Sequence, residues 1–243
     1  MERNKYFKIE RNKSDRILVG LTEKGYNSLK IKDEGILELP DEITKCSLAA
    51  ELPWTTIRKI ILPVGCLDNL SGAFLWRFKF LEKIEVKPIT CNCVSDNILF
   101  DKNKNKIIYY LQCDEKKEFT IPNCVKKIGD HAFYFCQNLE SITLTESIEE
   151  IGNDAFSNCT ALKSLTIPQK VKSIGCQIVL GCYDLREIKF LSKEPAKLSF
   201  NAFNGCIDEL KIYIPSESRE KYRNAQGWKD LPKEWWDKKI LIY

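Results

Sequence analysis

Apolar residues recur at a fixed interval of 23 residues along much of the chain. The Leu-x-x-Ile-x-Leu segment from Leu139 to Leu144 has counterparts with apolar residues at the same three places at positions 162–167 and 185–190. At its end, alternate side chains point inward and the intervening ones point outward, as in a short strand. One such strand cannot bury its apolar side alone, whereas stacked copies form a parallel sheet with continuous apolar ladders. The pattern therefore predicts a repeat solenoid.

The same period includes a cysteine and a glycine position. Successive repeats carry Cys136, Cys159, Cys182 and, after one inserted residue, Cys206. A position repeated in every coil is explained by packing, so we expect these four thiols to be buried, reduced and unreactive. The glycines, which stand at one predicted corner where a Cβ would hinder the chain, are Gly129, Gly152 and Gly175.

Upstream of these repeats the period is weaker and is then interrupted. Leu39-Pro40 and Leu62-Pro63 are again 23 residues apart. Between about Lys87 and Glu118 the period is lost, and two apolar runs flank a polar stretch from Asp101 to Lys106. Apolar runs on both sides of a turn-forming stretch predict a β-hairpin inserted between repeats.

Both ends of the chain are predicted to be caps, because an open solenoid end exposes core and unpaired strand edges. We divide the chain into an N-terminal cap at 1–36, a solenoid at 37–215 with the hairpin insertion at about 88–118, and a C-terminal helical cap at 216–243. The first cap contains a strand-like run from Ile17 to Leu21 and a turn at Lys24-Gly25. In the second, we expect the last coil to be sealed by Trp228, Trp235 and Trp236.

The segment from Ile121 to Leu139 reads Ile-Pro-x-x-Val-x-x-Ile-Gly-x-x-Ala-Phe-x-x-Cys-x-x-Leu. It resembles the BspA-like leucine-rich-repeat family of bacterial surface proteins, and the resemblance extends from about Leu39 to Trp228. This implies a right-handed leucine-rich-repeat solenoid with a parallel β-sheet on its concave face and an irregular or short-helical convex side. It also implies roles in adhesion and protein interaction. The sequence departs from the pattern at Val179, where phenylalanine is expected.

The first residues of the sequence and its hydropathy indicate in which compartment the protein is expected. Met1 to Lys8 lacks the apolar stretch of a secretory signal, which favours the cytoplasm, whereas the resemblance implies the cell surface or secretion as the alternative. No apolar run approaches the roughly 18 residues of a membrane span. With 44% hydrophobic and 30% charged residues, the chain is expected to fold rather than to be disordered.

Charge is mild and uneven. The net charge is +4, and residues 1–32 hold nine basic and four acidic side chains. Asp33 and Glu34 follow at once and reduce this local excess. We therefore interpret the basic end as a solvated surface and expect no nucleic-acid partner.

Residues that carry catalytic chemistry are sparse. His131 is the only histidine, and it aligns with Asp154 and Gln177 at a position that we expect to be on the surface. Glu149 and Glu150 are adjacent, so their carboxylates generally point apart rather than towards one substrate. No phosphate loop, nucleophile elbow or zinc-protease motif occurs. We expect the chain to have no catalytic residues, to bind no cofactor and not to be an enzyme.

Four cysteines bracket the predicted hairpin, namely Cys91, Cys93, Cys113 and Cys124. They could bind zinc, form disulfides or remain free. A single Cys-x-Cys is a weak match to the Cys-x2–4-Cys knuckle of structural zinc sites. Free thiols, with no metal, are the favoured interpretation.

The outward residues of the strand segments are unconstrained by packing and vary between repeats. We predict that they form one continuous face for an unidentified protein partner, in a binding or scaffold role. The alternative is a surface adhesin that binds host protein or carbohydrate. The predicted partner-binding residues are Arg58, Lys59, Glu140, Ser141, Thr143, Lys163, Ser164, Thr166, Arg186, Glu187 and Lys189.

Overall fold

A computed structural model describes residues 5–26, 34–88, 90, 92–112 and 115–243 of the chain. The chain forms a parallel-strand solenoid of about eight turns. This confirms the solenoid that the 23-residue period predicts.

The N-terminal part contains two three-stranded sheets. The first pairs β1 (Phe7–Asn12) antiparallel with β2 (Asp15–Leu21), and β2 runs parallel to β4 (Lys45–Glu51). The second is parallel throughout and joins β3 (Ile36–Glu38), β5 (Lys59–Pro63) and β6 (Lys83–Lys87). Within the described residues of this part, two short helices, α1 (Glu23–Tyr26) and α2 (Gly72–Leu75), and one 3-10 helix (Val64–Asn69) connect these strands.

One prediction for this part is wrong. Lys24-Gly25 lies within helix α1 instead of forming a turn between strands. The Thr22 hydroxyl accepts a hydrogen bond from the Gly25 backbone N–H at 3.2 Å. A threonine hydroxyl in this position caps the first turn of a helix, and this local contact competes with the turn preference of glycine.

The inserted hairpin lies between two hydrophobic cores. It contains β7 (Val94–Ser95), β8 (Ile98–Phe100) and β9 (Lys106–Tyr110), all antiparallel. Ile107 belongs to the core of the later repeats, whereas its neighbour Ile108 belongs to the core of the N-terminal part. A strand buried on both faces needs apolar residues at consecutive positions, which explains why these runs do not alternate.

The later repeats build two parallel sheets. The six-stranded sheet comprises β10 (Glu118–Thr120), β12 (Ser141–Thr143), β14 (Ser164–Ile167), β16 (Glu187–Phe190), β18 (Lys211–Ile214) and β19 (Ile240–Ile242). The seven-stranded sheet joins the hairpin to β11 (Lys127–Ile128), β13 (Glu150–Ile151), β15 (Ser173–Ile174) and β17 (Lys197–Leu198). Glu187 pairs with Lys211, so the inserted residue of the last repeat leaves the strand register unchanged.

The core between these sheets consists of the predicted ladders. Phe133 and Phe156 are fully buried and stack with ring centroids 5.6 Å apart, and Val179 is buried as well. A Cβ on Gly152 would lie 2.6 Å from the Asp130 backbone nitrogen, and the φ angle there is ordinary. Close approach of neighbouring coils therefore explains this glycine.

The C-terminal segment packs on the last coil with helices and a strand. A 3-10 turn (Ser216–Ser218) leads into α3 (Arg219–Asn224), and α4 (Lys233–Lys238) precedes β19. Trp228 is fully buried and its Nε1 donates to the Ala196 carbonyl at 2.9 Å. Trp236 is buried and Trp235 partly buried, whereas strand β19 was not expected from the sequence.

Candidate functional site

Nine of the eleven predicted partner-binding residues lie in the six-stranded sheet or directly before its strands. In β14, Ser164 and Thr166 are exposed while Leu165 is buried between them. The strands are in register, because Ser164 pairs with Glu187 and Thr166 with Lys189. Parallel pairing places outward side chains of successive repeats beside one another. Six of the nine lie at outward positions within the strands, and the other three, Glu140, Lys163 and Arg186, directly precede the strands; the six are Ser141, Thr143, Ser164, Thr166, Glu187 and Lys189.

The other two predicted residues lie on a different sheet. Lys59 begins β5 of the second three-stranded sheet, and Arg58 immediately precedes it. Arg58 contacts Glu82 at 2.5 Å, and Lys59 contacts Glu85 at 2.8 Å. Among the described residues no strand pairing joins this sheet to the six-stranded sheet. The candidates therefore occupy two sheets instead of one.

Charge on the outward face of the six-stranded sheet differs between its two ends. Near the hairpin, Glu140 lies 2.9 Å from Lys117 and also contacts Lys163. Hydrogen bonds from the two ammonium groups, Lys163 first, lower the pKa of Glu140 to about 2. This end is a compensated network of opposite charges.

At the far end the cations contact neutral groups. Arg186 donates to the Tyr183 carbonyl at 2.8 Å, and the Lys189 ammonium lies 4.1 Å from the centre of the Tyr243 ring. Lys211 donates to the Lys238 carbonyl at 2.9 Å. Attraction to a ring or a carbonyl does not cancel positive charge, so these three cations outnumber Glu187, the one acidic residue among the predicted residues of this end.

Sequence reasoning missed three residues of this end, namely Lys211, Tyr213 and Tyr243. Tyr213 pairs with Lys189 across the sheet. Lys211 and Tyr213 follow the inserted residue. Allowing a spacing of 24 instead of 23 residues for this repeat would have aligned them with Glu187 and Lys189. Tyr243 follows a strand outside the repeat, and no sequence signal indicates its position.

The model of the BspA type leucine rich repeat region matches residues 102–225 in six copies, which is just over half of the chain. The chain belongs to the BspA-type leucine-rich-repeat family. A comparison with curated proteins finds no significant match.

Solved structures of leucine-rich-repeat proteins share the fold. A leucine rich cell surface protein from Faecalibacterium prausnitzii is 22% identical with a TM-score of 0.59, and the match covers 86% of this chain and 59% of that one. A leucine-rich repeat protein from Eubacterium ventriosum is also 22% identical, with a TM-score of 0.55 and coverage of 85% and 62%. This BspA-type chain thus spans about three fifths of the length of either protein.

His131 is partly exposed, as are Asp154 and Gln177 at the aligned positions of the later repeats. Its ring is half-buried, Nδ1 is buried without a hydrogen-bond partner, and Nε2 lies 3.9 Å from an Asp154 carboxylate oxygen. Desolvation lowers the pKa of His131, against the attraction of Asp154 and Asp130. The ring packs beside Tyr134, which itself contacts Trp76 of the N-terminal part. The alignment with Asp154 and Gln177 therefore holds, and the two parts of the chain meet beside a partly exposed His131.

The cysteines around the hairpin differ from the predicted free thiols. Cys93 is disulfide-bonded, which contradicts that prediction, whereas Cys124 is free and exposed. Cys91 and Cys113 lie outside the described residues. Within the described part of the chain, no three histidine, cysteine or acidic side chains are placed to hold a metal ion.

The cysteine ladder of the repeats is largely as predicted. Cys136, Cys159 and Cys182 are free and buried, and the Cys159 and Cys182 thiols donate to the carbonyls of Phe133 and Phe156. Burial raises the pKa of both of these thiols. Cys206 is only partly buried, contrary to the prediction, because the last coil is followed by the C-terminal segment instead of another repeat.

The helices formed by the described residues are all short. In the parts that the structure describes, none is long and apolar enough to cross a membrane.

Proposed function

We propose that this BspA-type chain is a non-enzymatic protein-binding module that presents the outward face of its six-stranded sheet. One observation carries the proposal: side chains in register on successive strands are apolar throughout where they face the core, but change from hydroxyls in β14 to charged groups in β16 where they face solvent. Ile142, Leu165 and Ile188 are buried, whereas the exposed neighbours Thr143 and Thr166 give way to a lysine at 189. Packing explains the first set and places no demand on the second.

The contact is expected to be polar and of moderate affinity. The outward face carries hydroxyls in β12 and β14, Glu187 and Lys189 in β16, and Lys211 in β18, with no broad apolar patch among its predicted residues. Charged faces of this kind steer association and provide specificity through complementary charge. We expect a partner with an acidic surface, seated over Arg186 and Lys189.

The test is charge reversal with a matched control. Lys163, Arg186 and Lys189 are changed together to Glu, and the control changes Lys126, Lys172 and Lys197 to Glu beside the seven-stranded sheet. The two variants carry the same change in net charge, and each removes one lysine that is paired with a glutamate. We expect only the first to weaken partner binding and its salt dependence. Equal binding by both variants would place the site elsewhere, with the hairpin residues 102–106 as the next candidate.

A role at the cell surface, as an adhesin for host protein or carbohydrate, is the second candidate. The Cys93 disulfide supports it, because disulfides persist in oxidising compartments and are rare in the cytosol. The similar Faecalibacterium prausnitzii protein, described as a cell surface protein, agrees with this location. Fractionating the producing cells and measuring the mass of the Cys93 peptide without reduction tests it. Cytoplasmic protein with a free Cys93 thiol would restore the internal scaffold role.

A further inference from the structure

A cleft of about 840 Å³ lies between the last solenoid coil and the C-terminal segment. Its walls come from residues 198–211 on one side and 226–239 on the other. None of the eleven predicted partner-binding residues lines it. Small-molecule sites occupy roughly 300–1,000 Å³, so the cleft has the size of a ligand site.

The two walls are tied together. Lys239 has only 14% of its side chain exposed, and its ammonium donates to the Ile207 carbonyl at 3.2 Å while lying 4.8 Å from the centre of a Trp235 ring. Lys211 donates across to the Lys238 carbonyl at 2.9 Å. These links between coil and cap fix the width of the cleft, so a ligand would meet a preformed site.

Three aromatic residues line the cleft; Phe203 is buried, whereas Phe200 and Trp235 keep exposed surface. Phe200 is 81% exposed, the most exposed of the large apolar side chains in the described part of the chain. Trp235 is half-buried and stacks on Phe203 from the last coil. The face of an aromatic ring carries partial negative charge and attracts partially positive C–H groups. The C–H face of a pyranose ring has the shape and the polarity to stack there.

The polar lining suits a neutral ligand with many hydroxyls. The side-chain amides of Asn201, Asn204 and Gln226 each offer both donors and an acceptor. The charged residues balance, with three carboxylates against three ammonium groups; they are Asp208, Asp230 and Glu234, and Lys211, Lys238 and Lys239. A site with no net charge gives no long-range attraction to a polyanion or a polycation.

We propose that this cleft binds a neutral oligosaccharide, with a sugar ring stacked on Phe200 and its hydroxyls held by the amides and carboxylates. The proposal is separate from protein binding at the six-stranded sheet.

Calorimetric titration of the full chain tests the proposal. The probes are the hexaoses of β-1,4-glucose, α-1,4-glucose, β-1,4-N-acetylglucosamine and β-1,4-mannose, each to about 10 mM, with a sulfated heparin hexasaccharide as the charged comparison. At least one neutral sugar is expected to bind, and Phe200→Ala and Asn204→Ala are each expected to weaken it about tenfold. Tyr183→Ala is the matched control, because Tyr183 is 64% exposed and lies outside the cleft.

The outcomes separate this proposal from the previous one. The charge-reversed Lys163, Arg186 and Lys189 variant should bind the sugar unchanged. No binding by any neutral sugar, preference for the sulfated one, or equal weakening by Tyr183→Ala would each overturn the oligosaccharide site. Because Phe200 is exposed, its variant should fold normally, and an unchanged melting temperature will verify this.

Discussion

The rings of Phe133 and Phe156 occupy the centre of the repeat core, stacked and without solvent contact. Changing either to Ala will lower the free energy of unfolding by about 3–5 kcal/mol, because it removes a buried aromatic and leaves a cavity. Urea denaturation measures the loss. Phe200→Ala, at an exposed ring, is the control and should change stability by less than about 0.5 kcal/mol. Losses below about 1 kcal/mol at both core positions would show that these two rings do not form a buried ladder.

Thiol reactivity will follow burial. Cys159 and Cys182 are buried with raised pKa values, so neither access nor thiolate formation favours reaction in the folded chain. Cys124 is exposed and free, and it provides an internal control. A water-soluble maleimide should label Cys124 quickly and the two buried thiols only after unfolding, as read by peptide mass spectrometry. Rapid labelling of Cys159 or Cys182 in the folded chain would contradict the packing described.

The pKa of Glu140 predicts an acid-sensitive contact. Its pKa of about 2 lies below the unfolded value of about 4.3, so ionised Glu140 favours the folded state above the unfolded value. That contribution is lost as pH falls from about 4.3 through 2. An NMR titration should place the carboxyl midpoint near 2, and Lys117→Gln with Lys163→Gln should move it back towards 4. An unchanged midpoint in the double variant would remove the two lysines as the cause.

At single residues, the sequence predicted what the repeat enforces and failed where the repeat stops. The buried ladder cysteines follow from a 23-residue spacing, since every coil imposes the same environment. The Cys93 disulfide does not follow, because cysteine spacing alone leaves connectivity open. The contact of Trp76 with Tyr134 beside His131 does not follow either, because Trp76 lies before the inserted hairpin and outside the regular repeats.

Among the elements, the hairpin strand β9 is shared by two cores. Ile107→Ala and Ile108→Ala should each destabilise by about 2–5 kcal/mol, because both side chains are fully buried. They face different cores, so their local effects should differ. Hydrogen exchange should speed up mainly in the later repeats for Ile107→Ala and mainly before the hairpin for Ile108→Ala. The same pattern for both variants would show that the hairpin does not separate two cores.

Strands of the repeats were predictable because several coils repeat one pattern and each copy supports the others. Strand β19 was missed because its three residues belong to no repeat and follow a helix-forming stretch. The helix at Lys24-Gly25 depends on a local hydroxyl contact that a glycine signal does not reveal. An element that occurs once is not supported by further copies of its pattern, so it is harder to predict from the sequence than a strand of the solenoid.

For the whole molecule, the predicted single binding face extends over two sheets. Arg58 and Lys59 matched the outward positions of the repeat, but the hairpin separates their sheet from the six-stranded one. The interrupted period located the insertion without revealing that it lies between two cores. Arg58 and Lys59 also contact glutamates, so they are less available to bind a partner than the cations of β16. The partner is therefore expected on the six-stranded sheet alone.

Site-specific photocrosslinking in the producing cells tests that expectation most directly. A benzophenone amino acid placed at Thr143 or Thr166 projects from the six-stranded sheet, and one placed at Lys126 or Lys170 projects near the seven-stranded sheet. All four positions are exposed, so the substitutions should leave the fold intact. We predict that both sheet positions crosslink to one and the same protein and that the two control positions do not. If a partner protein crosslinks from Lys126 and Lys170 but not from Thr143 and Thr166, binding through the six-stranded sheet is contradicted.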